Sequence, residues 1–206
     1  IQAEKLMSAK QGVLLLGALA LHHPQAGSLR ALAHFITEHT AVKLGFLTQG
    51  ANAAGAWLMG ALPHRLPFGK PNNKPGLNAA QMLSSQDIKA LILLNVEPEY
   101  DAADSGLALH TLKNIPCVIA MSTFQTRAML DYAQVILPIT PSAEMSGTLI
   151  NAQGEWQKFN AVTKPQGQAR PAWKVLRVLA NYEYQTLEEV QREILALDVQ
   201  KNLKGH

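Results

Sequence analysis

Five short apolar runs, each followed by a stretch of helical periodicity, set the limits on how this chain can fold. They are Val13–Leu19, Val42–Leu47, Ala90–Leu94, Pro116–Met121 and Val135–Leu137. Runs that are apolar throughout, rather than alternating, mark strands covered on both faces, as in a parallel sheet. Between them lie helical segments. Ser28 is placed to cap one whose Leu29, Leu32, Ala33 and Ile36 share a face; others are expected over Ala53–Leu62, Leu77–Leu83, Ala102–Leu112 and Ser122–Leu130. Strand and helix alternating in this way predict an α/β fold: an open, mostly parallel, doubly wound sheet of about five strands with helices on both faces. Pro63–Pro75, with its prolines and Lys/Asn/Gly run, reads as an exposed loop.

The tail leaves this rhythm. Short strands at Thr148–Asn151 and Trp156–Phe159 flank a turn at Gln153-Gly154, and a Pro/Gly-spaced connector leads to a helix opened by Pro171. Trp173, Leu176 and Leu179 share a face of that helix. Thr186 and Glu189 have the spacing of a capping box for a last helix, with Leu187, Val190, Ile194 and Leu197 on its apolar side. The expected organisation is therefore an α/β sheet domain over 1–140, a hairpin and connector packed on it over 141–182, and a terminal helix and tail over 183–206. The chain reads as one structural domain cut from a longer polypeptide.

Composition removes several function classes. Apolar residues make up 48% of the 206, and charged residues 16%, so a sizeable core is available and disorder is not expected. The net charge is +3, but the cations are scattered, which argues against nucleic acid. No apolar run approaches the roughly 20 residues of a membrane-spanning helix. Cys117, the only cysteine, cannot form an internal disulfide, nor hold an iron–sulfur cluster that takes about four thiolates. Its apolar setting reads as a buried, inert thiol. Trp57, Trp156 and Trp173 read as core or interface aromatics.

Ligands of open α/β sheets sit beyond the carboxyl ends of the strands. Those ends carry His22-His23, Thr48–Asn52, Asn95–Asp101, Ser122–Thr126 and Pro138–Gly147. Gly50-Ala-Asn-Ala-Ala-Gly55 lacks the glycine order of a dinucleotide loop, and close helix packing explains it better. Glu97, Glu99, Asp101 and Asp104 would repel a pyrophosphate, unless one of them accepts from a ribose or base, and read as a solvated acidic loop or a contact with a basic partner. Adjacent histidines point apart and lack further ligands, so no metal site is expected. Neither Ser122 nor Ser146 lies in a nucleophile elbow. Glu144, before Met-Ser-Gly, is the strongest single polar candidate and reads as a loop carboxylate that caps the Gly147 turn.

Six blocks, taken in order, resemble a known family. They are Gly50–Trp57 with Gly60 and Pro63; Leu93–Asp101; Asp131–Pro138; Glu144–Thr148; Asn151–Gly154 with Gln157; and Ala169–Trp173. Over roughly residues 10–182 the chain resembles the molybdopterin-oxidoreductase-like domain in the large iron–sulfur subunit of bacterial NADH:quinone oxidoreductase, respiratory complex I. The wider family includes formate dehydrogenases, whose related domains cradle a guanine-dinucleotide form of molybdopterin at these strand ends. The complex I resemblance implies a structural, non-catalytic domain that is inactive alone and supports electron transfer from NADH to quinone. It implies no cofactor here, with iron–sulfur clusters upstream in the full subunit. The partners it implies are other subunits of the hydrophilic arm, on the cytoplasmic face of the inner membrane, without membrane insertion. Under it no residue is catalytic, and Asn52, Glu97, Ser122, Thr123 and Glu144 are vestigial strand-end candidates. Two alternatives stay open: a molybdopterin-guanine-dinucleotide-binding domain of a formate dehydrogenase-like oxidoreductase, which would bind molybdopterin, and a free-standing α/β binding module.

Overall fold

The structure is a computed structural model that describes residues 2–181 together with 186, 188–190, 192 and 196. The described chain divides into two compact units: residues 1–61 with 149–157, and residues 62–148 with the chain from 158 onwards.

In the first unit, α1 (Gln2–Ser8) leads into β1 (Gly12–Leu16), followed by α2 (Ala18–Leu21) and α3 (Ala26–Glu38). β2 (Val42–Phe46) and α4 (Ala53–Leu58) complete the run. β1 and β2 pair in parallel with Gly12 opposite Val42 and Leu16 opposite Phe46. The apolar run expected as one strand to Leu19 is cut at Gly17, which is extended and starts α2. Ser28 lies inside α3 rather than at its cap. α4 stops at Leu58, and Gly60 follows with φ +75°, a left-handed turn that glycine adopts without steric cost.

The second unit holds α5 (Ala79–Ser84), β3 (Ala90–Leu94), α6 (Pro98–Asp101), α7 (Ser105–Asn114), β4 (Cys117–Ser122), α8 (Arg127–Tyr132) and β5 (Val135–Pro138). Three of its helices start on side-chain caps. Asn78 and Gln81 form a reciprocal capping box on α5. Asp104 Oδ1 accepts the Leu107 N–H at 2.8 Å on α7, and Thr126 Oγ1 accepts the Met129 N–H at 3.2 Å on α8. These caps move two helix starts later than the apolar pattern alone places them, to Ser105 and Arg127. The strands lie in the order β3-β4-β5, all parallel, with Ala90 opposite Cys117 and Ile119 opposite Val135. The expected parallel α/β alternation is present, but the five strands form a two-stranded and a three-stranded sheet rather than one continuous sheet.

Leu112 and Ile115 after α7, with Met129 and Tyr132 of α8, close over Val118 and Ala120 of β4 to form the core. Leu91, Leu93 and Ile136 pack against it from the flanking strands. The cover of the two faces is uneven. On the opposite face Met121 is buried, while Ile92, Leu94 and Val135 remain 47%, 44% and 42% exposed. In the first sheet Val13 and Leu15 are likewise open. Pro63–Pro75 is not a simple exposed loop: it carries bridges Leu62–Arg65 and Arg65–Pro71 and buries Phe68.

β6 (Gly147–Ile150) and β7 (Trp156–Phe159) form the expected hairpin, and α9 (Ala172–Leu179) follows the connector. A side chain at 147 would meet the Phe159 ring at 2.8 Å, so the close approach of the two strands requires glycine there. Of the aromatics expected in a core or at an interface, Trp57 is half exposed, Trp156 is exposed and Trp173 is half-buried, so none is a fully buried core residue. Cys117 is half-buried, not buried, because β4 begins at the edge of the core. The Thr186–Glu189 capping box is formed in both directions, and it holds the Glu189 carboxyl below its usual range. Leu187, Ile194 and Leu197 lie outside the described residues. No helix among the described residues is long and apolar enough to cross a membrane.

Leu112 is fully buried at the centre of the larger core. Leu112→Ala should cost about 2–5 kcal/mol, measured as a lower urea midpoint with an unchanged slope; a shift within error of zero would contradict this core.

Candidate strand-end sites

Two sets of strand ends, one in each unit, collect the polar side chains, and their electrostatics differ. In the first unit the ends of β1 and β2 open on a cavity of about 870 Å³. His22 follows α2, Arg30 comes from α3, Thr48 and Gln49 from the turn after β2, and Trp57 from α4. No carboxylate lines it. Arg30 Nε donates to the Ala26 carbonyl at 3.3 Å, which fixes the side chain along its own helix. Gly50, at φ +80°, lets the chain turn sharply before α4.

Asn52 stands at the N-cap of α4, yet its side chain does not cap that helix. Its Oδ1 accepts the Ile150 N–H at 2.8 Å, fastening the tip of the hairpin to the helix start. A Cβ on Gly55 would fall 2.1 Å from the same Oδ1. The small residue at 55 therefore exists to admit the Asn52 amide, which agrees with the close-packing reading of this glycine-containing stretch. The two adjacent histidines separate as expected: His22 lines the cavity, whereas His23 Nδ1 accepts the Gln25 N–H at 3.0 Å. No cluster of metal ligands occurs among the described residues.

In the second unit the strand ends are acidic and closed on themselves. Asp101 Oδ2 accepts the Glu97 N–H at 2.7 Å, and Glu99 Oε1 accepts the Thr126 hydroxyl at 2.8 Å. Ser122 is buried, and its hydroxyl donates to the Phe124 carbonyl at 2.8 Å. Thr123 donates to Asn95 Oδ1 at 3.3 Å. Glu144 Oε2 accepts the Gln166 N–H at 3.0 Å, so this carboxylate secures the connector rather than the Gly147 turn. Beneath the acidic loop the Tyr132 hydroxyl and Glu99 Oε2 are buried without a hydrogen-bond partner. Burial, then the charges of Glu99 and Glu97, push the Tyr132 hydroxyl up to about 12.

Of the five residues singled out from sequence, Asn52 belongs to the first unit. Glu97, Ser122, Thr123 and Glu144 belong to the second. Asn52 is engaged by the hairpin, and Ser122, Thr123 and Glu144 are engaged by neighbouring backbone or amide groups. The cavity residues Arg30, Thr48, Gln49 and Trp57 were not among them. Arg30 sits mid-helix, with no local pattern to mark it; only the packing of α3 beside β2 aims it at the strand ends.

A pterin dinucleotide carries phosphates and flat rings. The first cavity fits such a group: Arg30 supplies a fixed positive charge, His22 and Gln49 supply hydrogen-bonding groups, and Trp57 supplies an exposed aromatic face. The acidic ends of β3 to β5 do not fit it, because Glu97, Glu99 and Asp101 would repel the phosphates.

Comparison with known proteins gives the family. Residues 2–182 match the family described as molybdopterin oxidoreductase. The chain is 26% identical over 172 residues, 71% of its length, to a protein from Staphylococcus haemolyticus named as a formate dehydrogenase, covering 17% of that protein. It is 29% identical over 168 residues, 69% of its length, to the F420-dependent formate dehydrogenase 1 subunit alpha of Methanococcus maripaludis, covering 25% of it. A third relative, from Bacillus subtilis and also named as a formate dehydrogenase, is 28% identical over 151 residues, 63% of this chain and 15% of the relative. The chain thus spans a quarter or less of the length of these curated relatives.

Two outcomes test these sites. Asn52→Ala leaves the Ile150 N–H without its acceptor and should cost about 1–3 kcal/mol. Gly55→Ala should cost a similar amount, and the double variant should cost less than the sum, because both break one contact; additive losses in a thermal melt would contradict the coupling. For Tyr132, the folded-state value lies above the ordinary 10.0, so the folded chain keeps a proton that the unfolded chain loses. Its contribution is fully present below pH 10 and is lost as pH rises towards about 12. Tyr132→Phe should remove on the order of 1–2 kcal/mol of that alkaline loss; identical pH–stability profiles for the two chains would refute it.

Proposed function

The chain belongs to the molybdopterin oxidoreductase family, and we propose that it forms one wall of a pterin-dinucleotide pocket in a formate dehydrogenase-like oxidoreductase. The observation that carries this reading is the carboxylate-free cavity at the ends of β1 and β2, with Arg30, His22, Gln49 and Trp57 around it. The names of the relatives support it. Arg30 pairs with a phosphate oxygen, Thr48 and Gln49 give hydrogen bonds that fix the ligand's register, and Trp57 covers a ring face and excludes water. When bound, such a cofactor carries the metal at which electrons are exchanged with a small substrate. This chain's residues bind and orient it; the reacting groups reside in other parts of the full-length protein.

A second reading has a specific observation in its favour. The ends of β3 to β5 are acidic, and Ser122, Thr123, Glu99 and Glu144 have hydrogen bonds within the chain. That closure suits a structural domain with no cofactor, as in the large iron–sulfur subunit of NADH:quinone oxidoreductase, braced against neighbouring subunits of the hydrophilic arm at the cytoplasmic membrane face. The six blocks of resemblance, from Gly50 to Trp173, support it. In that case iron–sulfur clusters elsewhere in the subunit carry the electrons from NADH to quinone.

The two readings separate in one preparation. The full-length protein, purified without chelators, should contain molybdenum and release guanine nucleotide on denaturation, and Arg30→Ala should lower both at least severalfold while leaving the circular dichroism unchanged. A metal- and nucleotide-free protein that assembles into an NADH-oxidising complex would overturn the first reading in favour of the second.

A further inference from the structure

Beyond the strand-end cavity, the second unit carries a separate basic groove of about 750 Å³ between the 144–146 loop, the connector and the start of α9. Lys164, Arg170 and Lys174 line it, together with Trp173 and, among the described residues, one carboxylate, Glu144. It shares no residue with the cavity around Arg30. In a chain whose cations are otherwise scattered, a concavity of small-ligand size that gathers Lys164 and Arg170 suits an anion.

The groove is built rather than incidental. Its floor and wall are fastened by four hydrogen bonds that tie the connector to the loop after β5. The Ser146 hydroxyl accepts the Ala161 N–H at 3.0 Å, and the Ala143 carbonyl accepts the N–H groups of Val162 at 2.8 Å and Thr163 at 3.2 Å. Glu144 Oε2 accepts the Gln166 N–H at 3.0 Å, which occupies one oxygen of that carboxylate. Arg170 is held by its own backbone: its N–H reaches Pro138 O at 3.4 Å, and its carbonyl accepts the Thr140 N–H at 3.1 Å. One guanidinium nitrogen donates to the Ala169 carbonyl at 2.8 Å, leaving the rest of the fork without a partner among the described residues. Lys164 is exposed and has no ion pair among the described residues. Lys174 lies over the Trp173 ring, 5.3 Å from its centroid. Pro171 gives α9 no side-chain cap, and the Ala172 and Trp173 N–H groups at that helix start have no acceptor among the described residues. Positive side chains and a guanidinium fork thus line one space beside an indole, at the start of α9.

We propose that this groove binds a phosphoryl anion, held by Arg170, Lys164 and the first amides of α9, with Trp173 as its flat wall. The source is either a free polyphosphate or the phosphate end of a nucleotide whose base lies against the indole. The inference does not rest on the cofactor reading, since the two sites lie in different units.

Titration calorimetry with inorganic pyrophosphate and with adenosine diphosphate, at low and at physiological ionic strength, tests it. Saturable binding that weakens with salt is expected. Lys164→Ala and Arg170→Ala should each weaken it about tenfold, and Arg170→Lys should restore only part of the loss. Glu144→Gln, which keeps the acceptor for Gln166, should tighten binding. Adenosine diphosphate binding more tightly than pyrophosphate identifies a nucleotide; equal affinities identify the free anion. The proposal is overturned if neither probe binds, or if Lys164→Ala binds as tightly as the parent chain. Loss on Arg30→Ala with Arg170→Ala unaffected also overturns it. Circular dichroism of each variant confirms that the comparison is made on folded protein, and Lys164, being exposed, keeps the test decisive if Arg170→Ala unfolds.

Discussion

Strand β4 is the constraint on which the larger unit depends. A parallel strand cannot pair with a neighbour through a short hairpin, so each pairing requires a crossover, and the crossover here is a helix laid on the sheet. β4 has strands on both sides, and Val118, Ala120 and Met121 along it are removed from water. α7 and α8 have to lie over it to bury Val118 and Ala120, and Leu112, Met129 and Tyr132 are the residues with which they do so. From that placement follow the acidic loop after β3, the cap of α8 at Thr126, and the closed polar network at the strand ends.

Electrostatics then divide the molecule. Both sets of strand ends share the geometry that favours ligands in open α/β sheets, but only one has a charge that suits an anion. At β1 and β2 the lining contains Arg30 and His22 and no carboxylate. At β3 to β5 the carboxylates of Glu97, Glu99 and Asp101 crowd the loop, and burial, with the charges of Glu99 and Glu97 after it, holds the Tyr132 proton more firmly.

Hydrogen bonds to side chains, more than burial, shape the polar parts. Asn52 is spent on the hairpin, Glu144 and Ser146 on the connector, and Thr126 and Asp104 on helix starts. Each has a residue type that sequence reasoning associates with function, and each has a backbone N–H to satisfy. This is the common fate of Asn, Ser, Thr and acidic residues in loops, where an unpaired buried amide costs more than the net gain of most contacts.

The α/β class, the parallel strands and their limits at β3 and β4, the hairpin after Glu144 and the capping box at Thr186 were legible in the chain itself. They depend on local periodicity, turn residues and short-range hydrogen bonds, all written within a few neighbouring residues. The division of the strands between two sheets was not, because each apolar run satisfies either arrangement equally well. Nor was the pairing of Asn52 with Ile150, separated by almost a hundred residues, or the aim of Arg30 from the middle of a helix. Which polar groups find partners and which remain open to a ligand is set by contacts distant in sequence. Local pattern has no term for those, and tertiary structure alone decided them.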